Sequence, residues 1–466
     1  MHGGAGLELR RRARLRRGQG LLRTVRISIV VPTLDEARGI VGTLEPLQPA
    51  RTDGHEVIVV DGGSRDATVA LATPLADRVI VAERGRARQM NAGAAIAAGD
   101  LLLFVHADSQ VAMSAIAVLA LEIEHTQRRW GRFDVTIAAR SRVLPIVAAM
   151  MNMRSRVTGI ATGDQAMFVA RELFAAVGGF PDQPLMEDIE LSKLLKRAGG
   201  PPLCLFERVL TSGRRWQSRG TWRTIAAMWR WRYAYWRGAD PAHLAAQYRA
   251  SRSEIPVVLQ VFAKSPVPGT VKTRLAAAIG NEAAAAHHTR FVERTLTTAV
   301  VARHSGVIDE IELWCDTDTP FFTPWRDHHR ISLHLQNGAD IGARMRAALD
   351  SALARGARAI LVGTDCPLLD VAYLARATAA LSICDAVFGP AEDGGYVLVG
   401  LSRRADAFTG IPWSAPDTMA ATREKLASSG VTWRELPTLW DIDQSRDLAR
   451  WQSLESQQLA AGVALK

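Results

Sequence analysis

The run Leu101–Ser109, LLLFVHADS, constrains this chain more than any other stretch. Four large apolar residues and a valine, with no charge among them, read as a short strand buried within a sheet. The run delivers His106 and Asp108, two residues apart, and strand alternation points both the same way. In an open α/β sheet, ligands bind outside the carboxyl ends of the strands. An Asp placed there can hold a divalent cation against the diphosphate of a nucleotide. It equally suits an ordinary turn that ends the strand.

The segments upstream repeat the design. ISIVVPT (Ile27 to Thr33) is a β-rich run ending near a proline, followed by Leu34, Asp35, Glu36 and a helical pattern. HEVIVVDGGSRDAT (His55 to Thr68) gives a second strand, then Asp61, two glycines, Ser64 and Asp66. Two strand–loop–helix units in succession predict a parallel sheet with right-handed crossovers. Gly62 and Gly63 let backbone approach a ligand closely, and Asp61 can accept hydrogen bonds from a base or ribose. The spacing is not G-x-G-x-x-G, so a dinucleotide site is disfavoured. In GRARQMNAGAAIAAGD (Gly85 to Asp100), Arg86 and Arg88 open an alanine-rich helix where a diphosphate could sit, or simply face solvent.

A length of 466 residues implies two or three domains. Hydrophobic content of 48% with 22% charged residues is that of a soluble globular protein. The formal charge of +10 is concentrated in the tail: residues 1–26 hold eight arginines against one glutamate, a net +7, which leaves +3 for the other 440 residues. The tail reads as disordered, and a nearly neutral body argues against nucleic-acid binding. No apolar run reaches the length of a transmembrane helix. Cys204, Cys315, Cys366 and Cys384 are scattered, which argues against a zinc site or a disulfide framework and fits a cytoplasmic protein.

VVPTLDE, VVDGGSRDAT, QMNAGAAIAAGD and FVHADS stand in the order seen in family-2 glycosyltransferases of the GT-A fold, and residues 26–250 resemble that family. GGFPDQPLMEDIELSKLLKRAG (Gly178 to Gly199) is similar to its acidic acceptor-side motif. WGRFDV, RSRVTGIATGDQAMF and PLMEDIELS resemble a bacterial subfamily associated with arsenosugar biosynthesis. The resemblance implies a nucleotide-sugar donor and a small acceptor hydroxyl. By it, Asp61, Pro32 and Glu36 line the base pocket, and Asp108 holds manganese or magnesium. Asp188, beside Glu187, becomes the general base of an inverting displacement. The first acid of the family's Asp-x-Asp motif is replaced by His106, which can still ligate manganese. Asp164 and Gln165 fall beside the acceptor, or form a structural turn. Glu187 and Asp188 also suit the first turn of a helix, where acids are favoured.

TSGRRWQSRGTWRTIAAMWRWRYAYWRG (Thr211 to Gly238) holds five of the twelve tryptophans and, from Arg214 to Arg237, seven arginines and no acid. Trp222, Ile225, Trp229, Tyr233 and Trp236 form one helical stripe. The stripe is expected to pack on the domain; the alternative is peripheral contact with an anionic membrane. Arg215–Trp216 resembles the acceptor motif of processive relatives.

A polar connection around residues 250–256 precedes a second half, residues 255–455. VVLQVFAKSPVPGTVKTRL brings Lys264, Lys272 and Arg274 to a glycine loop and helix start suited to phosphate. GTDCPLL ends a strand on Asp365, EDGGYVL adds Asp393, and DIDQSRDL adds Asp441 and Asp443. These motifs resemble the DUF2064 family, which looks like GT-A nucleotide-diphospho-sugar transferases. That resemblance puts the three cations on a nucleotide's phosphates and Asp365 and Asp393 near a metal. A cis-proline turn at Cys366–Pro367 is the alternative for Asp365. The expected protein is α/β: a tail, then two tandem GT-A-type domains with mainly parallel sheets. The second domain is either a further transferase or a non-catalytic nucleotide-binding module.

Overall fold

The computed structural model describes residues 25–138, 143–213, 221–250, 255–413 and 415–460. The tail through residue 24, Arg215 and Trp216 lie outside the described residues. The chain divides into two compact units, one comprising residues up to Glu36 and Gly42–Arg252, the other Ala37–Val41 and Ser253–Lys466.

The first unit is built on strands β1 (Ile27–Thr33), β2 (Glu56–Asp61), β3 (Arg78–Val81), β4 (Leu101–Phe104), β5 (Ser109–Gln110), β6 (Trp130–Ala138), β7 (Met167–Ala170) and β8 (Leu203–Ser212). They lie in the order β3-β2-β1-β4-β7-β6-β8-β5. β1 pairs in parallel with β2 and β4, while β7 runs antiparallel to β4 and β6. Every residue of β1, β2 and β4 is buried, which explains their largely apolar sequence, broken by Ser28 and Thr33 in β1 and by the terminal acids Glu56 and Asp61 in β2: such strands are covered on both faces. Helix α1 (Arg86–Ile96) covers one face, and Gly93 lets it come close, since a Cβ there would collide with Val30 and Val60. Phe104 anchors the packing beyond, edge-on to Phe180 at 4.9 Å.

β4 is shorter than expected. Its pairing stops at Phe104, and Ser109 N–H donates to the His106 carbonyl at 3.0 Å, closing a turn. His106 and Asp108 therefore lie in a turn, not on a strand with alternating faces. β5 then pairs Ser109 with Thr211 of β8, and Ser212 N–H donates to the Asp108 carbonyl at 3.0 Å, which fixes the turn from its far side.

Among the unit's other helices, four bear on the site: α2 (Leu144–Thr158), α3 (Glu187–Gly199), α4 (Thr221–Trp236) and α5 (Pro241–Ala250). Of the stripe on α4, Ile225 packs on the domain as expected, but Trp222, Trp229, Tyr233 and Trp236 are 72%, 61%, 61% and 76% exposed. The helix buries its other side, where Trp231 sits with Leu185, Leu244 and Ala245 and donates Nε1–H to Gln247 at 3.1 Å. Helical spacing identifies a face but not which face is covered.

The second unit contains β9 (Val257–Ala263), β10 (Glu310–Cys315), β11 (Ser332–Leu335), β12 (Arg358–Val362), β13 (Ala386–Pro390), β14 (Tyr396–Leu401) and β15 (Trp433–Glu435). Their order is β11-β10-β9-β12-β14-β13-β15. As in the first unit, the order is third, second, first, fourth, with parallel pairing and then an antiparallel neighbour to the fourth. The fold is α/β with two mixed, mainly parallel sheets. Among the described residues, no helix is long and apolar enough to cross a membrane.

Candidate functional site

In the first unit a cavity of about 930 Å³ opens at the carboxyl ends of β1 and β4. Pro32, Thr33 and Glu36 reach it from the end of β1, Arg86 and Gln89 from α1, and His106 and Asp108 from the turn after β4. Gly163 and Asp164 enter ahead of β7, and Glu187 and Asp188 from the start of α3. Gln89 forms part of the floor, donating Nε2–H to the Thr33 and Val60 carbonyls at 2.7 and 2.8 Å.

Asp188 is the best-defined group. Its Oδ2 accepts the Gly163 N–H at 2.9 Å and its Oδ1 accepts the Ile189 N–H at 2.8 Å. The preceding Met186 has a left-handed backbone, φ +66, which sets the entry into α3 and turns both acids into the cavity mouth. Burial and the adjacent Glu187 push the Asp188 carboxyl up to about 6, against the opposing pull of the Gly163 N–H and Arg86. Glu187 is buried and pairs with Arg86 at 3.5 Å. Burial works against charge on Arg86, but Glu187, Tyr248, Asp164 and Asp188 outweigh it and hold the guanidinium above its ordinary value.

His106 stands 3.7 Å from Asp164 through Nδ1 and Oδ1. A Cβ on Gly163 would fall inside the His106 ring, so the glycine at this position lets the backbone that holds Asp188 press against the imidazole. Among the described residues no group of three or more His, Cys, Asp or Glu is arranged to hold a metal. Asp108 and His106 at the cavity nonetheless make a donor set that fits manganese or magnesium when substrate phosphates complete the shell, since such cations are commonly held by one or two protein ligands.

Three sequence candidates lie outside the lining. Asp61 is 1% exposed, and its carboxylate accepts the Gly63 and Ser64 N–H groups, both at 2.8 Å, so its oxygens hold the turn after β2. Arg88 donates to Asp182 at 2.8 and 2.9 Å and also pairs with Glu83. Gln165 is fully buried, and its amide bonds Thr162 N–H at 3.2 Å and Asn152 at 3.3 Å, which makes it the brace of the Gly163 turn. Arg154 and the apolar wall of α2 are absent from the sequence candidates, whereas the α4 stripe that faces them, with Ile225 and Trp229, is among them.

The second unit gathers its candidates separately. Lys272 Nζ lies 2.8 Å from Asp365 and 3.1 Å from Asp443 and donates to the Ile442 carbonyl at 2.6 Å. Arg274 pairs with Asp443 at 3.4 Å. Asp393 accepts the Gly395 N–H at 2.9 Å. Burial, then Asp393, Asp365 and Asp443, push the Asp441 carboxyl up to about 7. Lys272 thus supplies the positive charge at Asp365, where a metal had been expected. Lys264 is exposed, and its carbonyl accepts a hydrogen bond from His288 Nε2 at 3.0 Å. No cis peptide bond occurs among the described residues, Cys366–Pro367 included.

Residues 28–163 match the model for glycosyl transferase family 2. Residues 298–415 match DUF2064, described as an uncharacterized protein conserved in bacteria. No curated protein sequence matches the chain. A Desulfovibrio desulfuricans G20 protein, provisionally named a nucleotide-diphospho-sugar transferase, is 31% identical over 40% of this chain and 82% of its own, with a TM-score of 0.37. The mannosyltransferase PcManGT from Pyrobaculum calidifontis, in complex with GDP-Man and Mn2+, is 21% identical over 54% and 72%, with a TM-score of 0.36. Glucosyl-3-phosphoglycerate synthase from Mycobacterium tuberculosis, in complex with Mn2+, UDP and glucosyl-3-phosphoglycerate, is 20% identical over 45% and 78%, with a TM-score of 0.34. The chain carries a glycosyl transferase family 2 segment at residues 28–163 and, after it, a DUF2064 segment at residues 298–415.

Proposed function

We propose that the first unit transfers a sugar from a nucleotide-sugar donor to an acceptor hydroxyl with inversion at the anomeric carbon. The observation that carries this reading is Asp188, held by Gly163 N–H in the same cavity as Asp108 and His106 and shifted to about 6. A carboxylate with that value is ionised at neutral pH yet basic enough to take a hydroxyl proton as the oxygen attacks. The acceptor oxygen forms its bond to the anomeric carbon while the bond to the diphosphate breaks, and those electrons leave with the nucleoside diphosphate. Asp108 and His106 would hold a divalent cation, which when bound neutralises charge on the departing diphosphate. Arg86 adds a fixed positive charge to the same cavity. Arsenosugar biosynthesis rests on the sequence resemblance alone. The test is release of nucleoside diphosphate from UDP-glucose, UDP-GlcNAc and GDP-mannose by the full chain, with manganese: release by wild type but not by Asp188→Asn is expected, and equal rates in both would overturn the assignment.

The second unit is read as a nucleotidyl- or glycosyltransferase domain whose phosphate site is Lys272 and Arg274 beside Asp365 and Asp443. A second reading, of lipid contact by the first unit, is favoured by the exposure of Trp222, Trp229, Tyr233 and Trp236 on a helix rich in arginine. Flotation with anionic vesicles tests it: co-migration of wild type and its loss on Trp229→Ser/Trp236→Ser support contact, and no co-migration refutes it.

A further inference from the structure

Three arginines, Arg132 of β6 and Arg154 and Arg156 of α2, precede the Gly163 turn, and two are fully occupied. Arg132, on β6 and completely buried, donates to Ser155 Oγ at 3.1 Å and to the Asn152 carbonyl at 3.0 Å, and pairs with Asp134. Arg156 forks onto both oxygens of Asp134 at 2.8 and 3.0 Å. Arg154 differs. It lines the cavity, and its Nε and Nη2 have no hydrogen-bond partner among the described residues. A buried donor left unmade costs about 1–3 kcal/mol, and more when the group is charged. A guanidinium that lines a cavity with two donors unmade is matched to a planar anion that accepts from it bidentately once the side chain turns those donors into the opening.

The surroundings add a second property. α2 turns Ile146, Val147, Met150, Met151 and Arg154 toward the cavity, the spacing of a single helix face. From Ile146 to Arg154 that face climbs about 12 Å. Ile225 and Met228 of α4, like Val147 and Met151, pack against the cluster of Val135, Ile137, Leu144 and Ala148, and Trp229 lines the same cavity. Beyond Arg154 the chain turns at Gly159, φ +66, and arrives at Gly163, whose N–H holds Asp188. The cavity lining therefore combines methionine, isoleucine and tryptophan with a cation, Arg154, that stands nine residues before the glycine holding the proposed base. Arg232 of α4 also lines it, and burial alone pulls that guanidinium below its ordinary value.

We infer that the acceptor is an amphiphilic anion: a hydroxyl-bearing molecule whose carboxylate or phosphate pairs with Arg154 and whose apolar body lies along α2 toward Ile146. Arg154 is then the specificity-determining cation of the acceptor side. The inference rests on the glycosyl-transfer reading for the word acceptor, while the binding site itself stands on the cavity. A glycosyl acceptor without charge would leave the Nε and Nη2 donors of Arg154 unmade in the complex as in the free protein.

The experiment is calorimetric titration of the full chain with octanoate, octyl phosphate and octanol, repeated on Arg154→Gln and Arg154→Lys. At least one anion is expected to bind wild type about tenfold tighter than octanol, as a charge-assisted bidentate pair provides. Arg154→Gln is expected to bring that anion to the affinity of octanol and leave octanol unchanged; Arg154→Lys should restore part of the preference. Vesicles of phosphatidylglycerol, with phosphatidylcholine as control, separate the two sources of such a molecule. Arg154-dependent retention on the anionic vesicles assigns it to a bilayer, and anion binding without retention assigns it to solution. Equal wild-type affinity for all three probes would overturn the inference, as would a loss in Arg154→Gln that is the same for octanol. Loss of UDP or GDP binding in that variant would also overturn it, by moving Arg154 to the donor. Failure of the glycosyl-transfer reading would show separately, as absent nucleotide binding with the anion preference intact.

Discussion

Gly163 gives its backbone N–H to Asp188 Oδ2 at 2.9 Å, across 25 residues of sequence, while its α-carbon stands against the His106 ring. One residue thus couples the proposed base to the proposed metal side of the cavity, and a side chain there must displace the imidazole. The coupling runs through backbone, so it has no register in any side-chain pattern.

Gly163→Ala should therefore act through His106. The added methyl must displace the imidazole or the turn, at an expected cost of about 1–3 kcal/mol in stability together with a loss of activity. His106→Ala in the same chain removes the obstacle, so the stability loss should be largely recovered in the double variant. Urea unfolding of the two single variants and the double variant measures the coupling as a cycle. Additive losses would show that the ring and the glycine do not meet.

Asp188→Asn should lower turnover by about 10²–10⁴-fold, the usual contribution of a positioned proton acceptor. Burial and Glu187 raise the Asp188 carboxyl to about 6, and the ionised form is the active one. Turnover in wild type should hold steady above pH 6 and fall about tenfold per unit below it. A profile flat down to pH 4.5 would mean that Asp188 is not the titrating base.

Lys272 neutralises Asp365 and Asp443 while itself 5% exposed. Lys272→Met leaves those acids near Asp441 and Asp393 and should destabilise the protein by roughly 1–2 kcal/mol, well below the scale of a fully buried pair because Asp365 and Asp443 are 45% and 42% exposed and screened by solvent. Asp365 and Asp443 outweigh burial and raise the Lys272 ammonium above 10.5, so its stabilisation is fully present below pH 10.5 and fades as pH rises through the raised value. Chemical denaturation at pH 7 and pH 11 should show a smaller difference between variant and wild type at the higher pH.

Asp441 behaves with the opposite sign. Its carboxyl rises from 3.8 to about 7 through burial and three neighbouring acids, so the folded state resists its ionisation. The resulting penalty is absent below pH 3.8, grows through the interval and is complete above pH 7. Asp441→Asn should raise the melting temperature at pH 8 by more than at pH 4.5. Equal shifts at the two values would place the effect in packing, not in charge.

Much of this was legible in the chain. Apolar runs ending on Pro32, Asp61 and Phe104 announced three neighbouring buried strands, and the acids and cations after them marked the open end of the sheet. LLLFV did not reveal where pairing ceases, because burial continues through Val105 while the ladder does not. Asp61 looked like a ligand group because an Asp before two glycines fits both a base contact and the turn it holds here. The tryptophan stripe had helical spacing, yet Trp231, off the stripe, is the buried one. Arg154 carried no signal: its meaning comes from Met150 and Met151 facing a cavity instead of a core, and that is decided by elements distant in sequence.

The central claim is a donor site formed where β1 and β4 end. Its most direct test is calorimetric titration with UDP, GDP and CDP, each with and without manganese, on wild type and Asp108→Ala. The account predicts that one nucleotide binds wild type in a manganese-dependent way and that Asp108→Ala abolishes the manganese effect. Binding that ignores manganese and is unchanged in Asp108→Ala would contradict it.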